Sequence, residues 1–415
     1  MKALPGALFV CLAGTACGFP QQPRGAPAVE GFVTRVLSPT DFSVNGIHVL
    51  CGPDTQTGRS DGKAITPGCP EEMPFVGEGM TIFGTLAENG SAANATRIEI
   101  EVPAEKEIAG AAIVEAVHTA PPEVFADGYR VLLPSDAAIS FNPPLQTLAD
   151  VKPNEWMIYK ARQRADGVLI ASSITFGANA GPGMERNAAF DNPRAIRTKL
   201  PLWPDTMMEE HIEAIGQKLI PAWQRALPDA DPLKVGFHFM VVDGPRMGSE
   251  PVPLPNGLVL LPRQDVQRLQ NDSQVAALLA DSIACILERQ TWRTRIAANA
   301  AATRESIVNA TESLISSAKQ AGFTGSRDDL RDIIGAEYAQ SGRVALNLMR
   351  EAGFDIEQAP VAWWLLANHD KQLTAVSLPY RSATLYQALG MLWNNPAASG
   401  AEGGSSTTSA PPPAQ

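Results

Sequence analysis

The segment from Val29 to Phe176 presents the same order of short β-type runs twice. In the first unit "FVTRVLSPTDFSVNGIHVL" is followed by "GEGMTIFGTL" and "ATRIEIE", and in the second "AIVEAVHTAPPEVFADGYRVLL" is followed by "PNEWMIYKA" and "ASSITF". Gly, Pro, Asn and Asp separate these runs, as they do at the ends of strands. The repeat therefore restricts this part of the chain to two similar all-β modules.

Turn dipeptides fall at matching places in the two units. Asn45-Gly46 and Asp127-Gly128 predict tight hairpins, because both central residues of such turns need positive φ. The aromatic residues Phe83 and Tyr159 also match in order, and we expect both to point into a barrel. The pattern resembles the OB-like modules of exported bacterial proteins. We predict two small OB-like barrels, at residues 29–103 and 104–176.

The N-terminus has the pattern of a bacterial export signal. "MKALPGALFVCLAGTACG" places one basic residue before an apolar run and then small residues. Thr15 and Ala16 suit a lipoprotein signal, whereas Gly14 replaces the usual large aliphatic residue. Two outcomes stay open for residues 1–17: lipidation of Cys17, or cleavage after Ala16. We expect an exported protein, either periplasmic or a lipoprotein anchored to the membrane.

Net charge restricts the partners. The chain carries a formal charge of -11 at pH 7, with no cluster of Lys and Arg. Nucleic acids and anionic membrane surfaces both need a basic face, so neither is an expected partner. No run of about 18 apolar residues follows the signal, so we expect no membrane-spanning helix, and Cys17 is the possible lipid anchor.

Export also bears on the cysteines. In an oxidising compartment Cys51 and Cys69 could form a disulfide within the first β-unit, worth on the order of 3 kcal/mol. Two unpaired thiols are the alternative.

The rest of the chain has a different pattern. Residues 177–200 lack periodicity and are predicted to be a linker, and residues 395–415 form a low-complexity tail. Between them, apolar residues recur at helical spacing, with strands predicted in "VGFHFMVVD" and "NGLVLL". The predicted fold class is α+β, with two all-β barrels before a mainly helical domain, residues 201–394, that contains a small sheet.

This helical domain resembles the zinc metallopeptidases of the HtpX and CAAX-protease type, peptidase family M forty-eight. The resemblance rests on "FHFMVVDGPRMGSEPVPLPNGLVLLPRQDVQRLQNDSQVAALLADSI", which follows the family's order of strand, loop, strand and central helix. "EYAQSGRVALNLMREAGFDI" and "APVAWWLL" are similar to later family segments. The resemblance implies a gluzincin fold for about half of the chain.

The family's chemistry depends on H-E-x-x-H, in which two His on one helix face hold Zn²⁺ and the Glu acts as general base. Here Asp281 and Cys285 stand at the two ligand positions and Ser282 at the base position. Tyr338 stands at the third ligand position, or Glu337 in a register shifted by one residue. Gly342 replaces the supporting Asp.

These replacements predict loss of the family's reaction, because a serine does not take a proton from a metal-bound water at neutral pH. We expect no catalytic residues and no cofactor, although the resemblance implies zinc. One alternative is a metal site rebuilt from Asp281, Cys285 and Glu337. Against it, a cysteine among apolar residues is more often part of a core.

The sequence therefore predicts an exported pseudo-peptidase that binds a peptide or protein of the cell envelope. We expect an extended peptide to add to an edge strand at Asn256–Leu261, with a cleft formed by Pro255, Asn256, Gly257 and Leu258. Two alternatives remain open: a metal-dependent endopeptidase with a rewired site, and a binding module that acts through the tandem barrels.

Overall fold

The computed structural model describes residues 25–62, 65–178, 205–243, 250–254, 256–288, 290, 327–368, 375 and 377–394, with the backbone alone for 327–334. Two five-stranded β-barrels precede a helical region with a small sheet, so the α+β class is confirmed. The predicted export signal with Cys17, most of the predicted linker 177–200 and the tail 395–415 lie outside the described residues.

The first barrel is a closed ring of five strands, and two further strands extend its sheet. The strands are β1 (Val29–Ser38), β2 (Asp41–Val44), β3 (Ile47–Leu50), β4 (Gln56–Arg59), β5 (Ile65–Pro67), β6 (Gly79–Leu86) and β7 (Ala92–Ile100). The ring runs β1-β2-β3-β7-β6 and closes through the parallel pair of β3 and β7. This closure is compatible with an OB-like module, and it leaves β4 and β5 beside β7.

The second barrel repeats this ring. Its strands are β8 (Lys106–Thr119), β9 (Pro122–Ala126), β10 (Tyr129–Leu132), β11 (Ala138–Phe141), β12 (Trp156–Gln163) and β13 (Leu169–Gly177). The ring runs β8-β9-β10-β13-β12, again closed by a parallel pair, here β10 with β13. A short 3-10 helix, Leu148–Asp150, lies before β12. The internal repeat read from the sequence is thus a repeat of strand order and closure.

Both predicted hairpin turns have the expected backbone. Asn45 and Gly46 have φ values of 50° and 75°, and Asp127 and Gly128 have 53° and 73°. In each barrel the residue at a bulge in the first strand accepts a hydrogen bond from the turn glycine: Gly46 donates to Thr34 Oγ1 at 2.9 Å, and Gly128 donates to Glu115 Oε1 at 2.6 Å. The turn and the bulge therefore form one repeated unit.

The predicted correspondence between Phe83 and Tyr159 was wrong by one residue. Tyr159 is buried in the second barrel, as predicted, but Phe83 lies outside the first core, under the Arg97 guanidinium. Side chains alternate along a strand, and Met80 and Ile82 already occupy the inward positions of β6. Ile82 is thus the counterpart of Tyr159.

Cys51 and Cys69 form a disulfide, with Cα atoms 5.5 Å apart. The bond closes a loop that contains β4 and β5. These two strands extend the sheet of the first barrel beyond its ring, and the cross-link ties them back to the end of β3.

The helical region surrounds one long buried helix. The helices are α1 (Thr206–Leu219), α2 (Ala222–Ala226), α3 (Arg263–Val266), α4 (Asp272–Leu287), α5 (Arg327–Glu351), α6 (Gln358–Ala367) and α7 (Tyr380–Leu392). Its sheet has the order β14 (His238–Val242), β16 (Leu258–Pro262), β15 (Val252–Pro253). Helix α4 packs against α1, α5 and α6. Within the described part of the chain, no helix combines the length and apolar character needed to cross a bilayer.

Both barrels meet the helical region through glycines. A Cβ added to Gly128 would lie 2.4 Å from the Cβ of Arg343 on α5, and one added to Gly77 would lie 2.4 Å from the backbone nitrogen of Gly390 on α7. These distances leave no room for a side chain. At these two points the backbone of each barrel therefore lies directly against a helix.

We predict that Gly128→Ala destabilises the protein more than Gly90→Ala does. Both glycines have positive φ, 73° and 68°, but a Cβ at Gly90 would meet nothing within 4 Å. The Gly90 variant should lose about 1 kcal/mol from backbone strain alone. The Gly128 variant should lose about 1–3 kcal/mol more through overpacking against Arg343. Urea unfolding followed by circular dichroism measures both, and equal losses would contradict the packed junction.

Candidate functional site

Helix α4 occupies the centre of the helical region. Asn271 caps its N-terminus by accepting a hydrogen bond from the Gln274 backbone amide at 3.0 Å. Every residue from Gln274 to Leu287 is buried. A helix that is buried on all sides presents no surface to solvent, so each polar side chain on it needs a partner within the protein.

Asp281, which the resemblance places at the first ligand position, is held by two side chains. It is 2 % exposed. Its Oδ2 accepts a hydrogen bond from Arg381 Nη2 at 2.5 Å, and its Oδ1 accepts one from Ser341 Oγ at 2.7 Å. The side chain of Arg381 is 11 % exposed, so the ion pair is buried at both ends. A guanidinium supplies the positive charge beside this carboxylate.

Aromatic rings and a second carboxylate fix the Arg381 guanidinium. Its Cζ lies 3.2 Å from the centre of the Trp363 ring and 4.3 Å from that of Tyr338. Its Nη1 donates to Glu250 Oε2 at 3.1 Å, and the Tyr338 hydroxyl lies 3.5 Å from the same oxygen. Arg381, at the start of α7, thus connects α4, α5 and α6 with Glu250, which lies two residues before β15.

The other residues that the resemblance places at catalytic positions are also used for packing. Ser282 Oγ donates to the Leu278 carbonyl oxygen at 2.9 Å, one turn back along the same helix. Cys285 is a buried cysteine within α4. A Cβ on Gly342 would lie 3.1 Å from Leu385 Cδ2, so α5 and α7 approach closely there. The Glu337 backbone oxygen accepts a hydrogen bond from Gln290 Nε2 at 2.6 Å.

The proposed metal ligands do not come together as a set. Throughout the ranges that the structure describes, no three His, Cys, Asp or Glu side chains are grouped so that they could hold a metal ion. Asp281, Cys285 and Glu337 therefore do not form a three-ligand group. The nearest cation to Asp281 that the geometry shows is the guanidinium of Arg381.

The placement of an edge strand at Asn256–Leu261 was wrong. β16 is the central strand, with β14 parallel on one side and β15 antiparallel on the other. Asn256 and Gly257 form the turn between β15 and β16, where Gly257 has a φ of 95° and donates to the Leu254 carbonyl oxygen. Leu258 is 1 % exposed, and Pro255 lies outside the described residues.

The edge beside α4 is formed instead by β15. The Leu254 amide donates to the Leu258 carbonyl oxygen, and Val252 pairs with Leu260, so the backbone of Pro253 faces away from β16. Proline has no N–H to donate. At Pro253 this edge therefore offers an added strand a carbonyl oxygen but no donor.

A separate carboxyl was not anticipated from the sequence. Asp265 on α3 is 0 % exposed, and among the described residues neither carboxyl oxygen has a hydrogen-bond partner. Its pKa is raised to about 7, with burial as the largest cause, Arg268 opposing the shift and nearby Glu250 adding to it. Asp265 is therefore held partly in its neutral form at neutral pH.

Comparison with known proteins adds no identification. No protein-family model matches the chain. No curated protein matches it either.

Sequence reasoning singled out Asp281 but missed Arg381, Ser341 and Glu250. Arg381 is separated from Asp281 by 100 residues, and Glu250 from Arg381 by 131. A signal was present, because Arg381 lies in the first turn of the helix that begins after Pro379, an N-terminal location that is unfavourable for a cation. Such a residue needs an anionic partner elsewhere in the fold.

We predict that Arg381→Met costs about 3–5 kcal/mol of stability, because it leaves Asp281 buried without a counter-charge. Asp281→Leu combined with Arg381→Met should recover much of this loss, since a buried ion pair and an apolar pair are often close in energy. Glu250→Gln is the control, and it should cost below about 1 kcal/mol because Glu250 is 48 % exposed at its side chain. Urea unfolding measures all three, and a loss under 1 kcal/mol for Arg381→Met would contradict the role of the pair.

Proposed function

We propose that the chain is an exported pseudo-peptidase, a scaffold that binds a protein or peptide of the cell envelope without cleaving it. In this proposal the helical region is a degenerate gluzincin domain. The observation that carries it is the buried ion pair of Asp281 with Arg381, at the position where the family holds its metal.

The order of elements supports the gluzincin assignment. A parallel pair of strands, β14 and β16, with the short antiparallel β15 between them in sequence, leads into α4, and α5 packs against α4. This is the order on which the resemblance to the metallopeptidases rests. This order supports the assignment of the scaffold only, since each residue at a catalytic position differs from the family pattern.

The chemistry of α4 supports loss of the reaction. Asp281 is neutralised by Arg381, and the Ser282 hydroxyl donates to its own helix. Neither side chain is placed to activate a water molecule, because a general base must reach the proton that it removes. A scaffold that keeps its core and replaces its catalytic groups with packing contacts is suited to binding.

The structure of β15 changes the binding mode proposed from the sequence. Because the backbone of Pro253 faces away from β16, regular strand addition lacks a donor there. We infer that a partner is recognised through side chains at the start of α7, where Tyr380 is 57 % exposed beside Arg381. An exposed aromatic ring next to a buried charge pair is a typical anchor for a protein partner.

We predict that untagged protein purified from the cell envelope contains far less than one metal ion per chain and does not cleave casein. The physical reason is that Arg381 already supplies the positive charge beside Asp281. Elemental mass spectrometry and a casein digest measure this. About one metal ion per chain together with cleavage would instead support the rewired endopeptidase built on Asp281, Cys285 and Glu337.

A crosslinking experiment locates the partner surface. A photoreactive phenylalanine analogue at Tyr380 should capture an envelope protein in living cells, and capture should fall in an Arg381→Lys background. The matched controls place the same analogue at Ile65 and Ile158, which are 70 % and 54 % exposed on the two barrels. Capture from the barrel positions alone would refute this surface and favour binding through the tandem barrels.

A further inference from the structure

The second barrel and the helical region meet around a cluster of two buried carboxyl groups and one half-buried carboxyl group. Glu115 lies on β8, Asp127 lies in the turn between β9 and β10, and Glu288 follows the C-terminus of α4. Asp127 is 7 % exposed and Glu288 is 6 % exposed. Glu115 and Glu288 also line a cavity of about 610 Å³ between the barrel and helices α2, α4 and α5.

Hydrogen bonds connect these carboxyl groups across the junction. Gln340 on α5 donates from Nε2 to Asp127 Oδ1 at 2.6 Å and to Glu288 Oε2 at 3.2 Å. Asn347 on α5 places its Nδ2 3.4 Å from Glu115 Oε2. The Gln340 amide thus donates to both Asp127 and Glu288, which places these two carboxyl groups next to each other. Two neighbouring buried carboxyl groups favour a state in which at least one holds its proton, because two charges there would repel each other.

Among the residues that the structure describes, few positive charges lie close to these carboxyl groups. Arg343 on α5 donates from Nε to the Asp127 carbonyl oxygen at 2.9 Å and lies over the Tyr129 ring. The remaining charged or titratable groups around the junction are Tyr159 on β12, Glu155 before β12, His118 on β8, and Arg350 and Glu351 on α5. His118 is paired with Glu123, and Arg350 lies over the Trp393 ring. Three carboxyl groups thus share one close guanidinium.

In the first barrel, neutral side chains accept the equivalent hydrogen bonds around the hairpin turn. Thr34 takes the place of Glu115 and accepts from the turn glycine, and Asn45 takes the place of Asp127 and accepts from the Phe32 amide. In the second barrel the corresponding amide, that of Ile113, donates to Asp127. The hairpin turn itself therefore needs no acid. The two acids are specific to the barrel whose turn meets Glu288.

We propose that this junction is a proton-controlled clasp, closed while the Asp127–Glu288 pair holds its proton and loosened when that proton is lost. When both groups are ionised, they repel each other beside the shared Gln340 amide inside the protein, where charge interactions are weakly screened. Opening of the junction brings water to the carboxylates and relieves this repulsion. The proposal is independent of the proposed function.

The pKa shifts of the three carboxyl groups determine how the stability of the closed junction depends on pH. Burial is the largest cause for all three groups: it raises the pKa of Glu115 from 4.5 to about 7, that of Glu288 well above 4.5, and that of Asp127 above its usual value. The closed junction therefore binds more protons than the open one. Its stability is greatest at low pH and falls as pH rises from about 4.5 through 7.

Hydrogen exchange on the full chain tests the clasp. We expect protection of the segment around Gly128, corrected for intrinsic exchange, to fall between pH 5 and pH 8, by up to about tenfold per pH unit for each linked proton. Glu288→Gln keeps an amide next to Asp127 and removes one titratable proton, so protection should fall less steeply with pH than in the wild type, with Glu115 still ionising over this range. Asp127→Asn copies the residue at position 45 and should give the same result, which covers the case in which Glu288→Gln does not fold.

Glu78→Gln is the matched control. Glu78 is a half-buried carboxyl whose pKa is also raised to about 7, but it lines a cavity between the first barrel and α7. This variant should keep the wild-type pH profile around Gly128. Protection that does not change with pH in the wild type, or a pH slope that is undiminished in both junction variants or disappears in Glu78→Gln, would overturn the proposal.

Discussion

Complete burial of helix α4 is the constraint on which the rest of the helical region depends. A helix with no solvent-facing side requires apolar neighbours all around it, and α1, α5, α6 and the small sheet supply them. The same burial means that its one central carboxylate, Asp281, requires a counter-charge from another element. Arg381 meets that need and thereby determines where α7 begins relative to α4. Packing and charge compensation thus act on the same contact.

The two barrels show how one supersecondary unit is adapted to different neighbours. Both use the same closure, the same bulge and the same turn geometry. The first places neutral side chains at the turn, and the second places Glu115 and Asp127 there, opposite Glu288 and Arg343. The repeat therefore serves as an internal reference. Residues that differ between otherwise equivalent positions are those that respond to the helical region.

The barrels could be predicted because their determinants are local. Asn45-Gly46 and Asp127-Gly128 require positive φ wherever they occur in a hairpin, and alternation fixes which side chains enter a core. The edge strand at Asn256–Leu261 could not be placed correctly, since periodicity identifies a strand but not its neighbours. Pairing of Val252–Pro253 along β16 is a property of the assembled sheet.

The sequence by itself determined the doubled β-unit, the hairpin turns and the helical spacing of the second half. These are properties of residue type and short-range spacing. Only the tertiary structure decided how the buried polar side chains are compensated, because Asp281 contacts Arg381 across 100 residues, and Asp127 contacts Gln340 across 213. Charge compensation inside a protein depends on which distant elements pack together, and that is fixed by the whole fold.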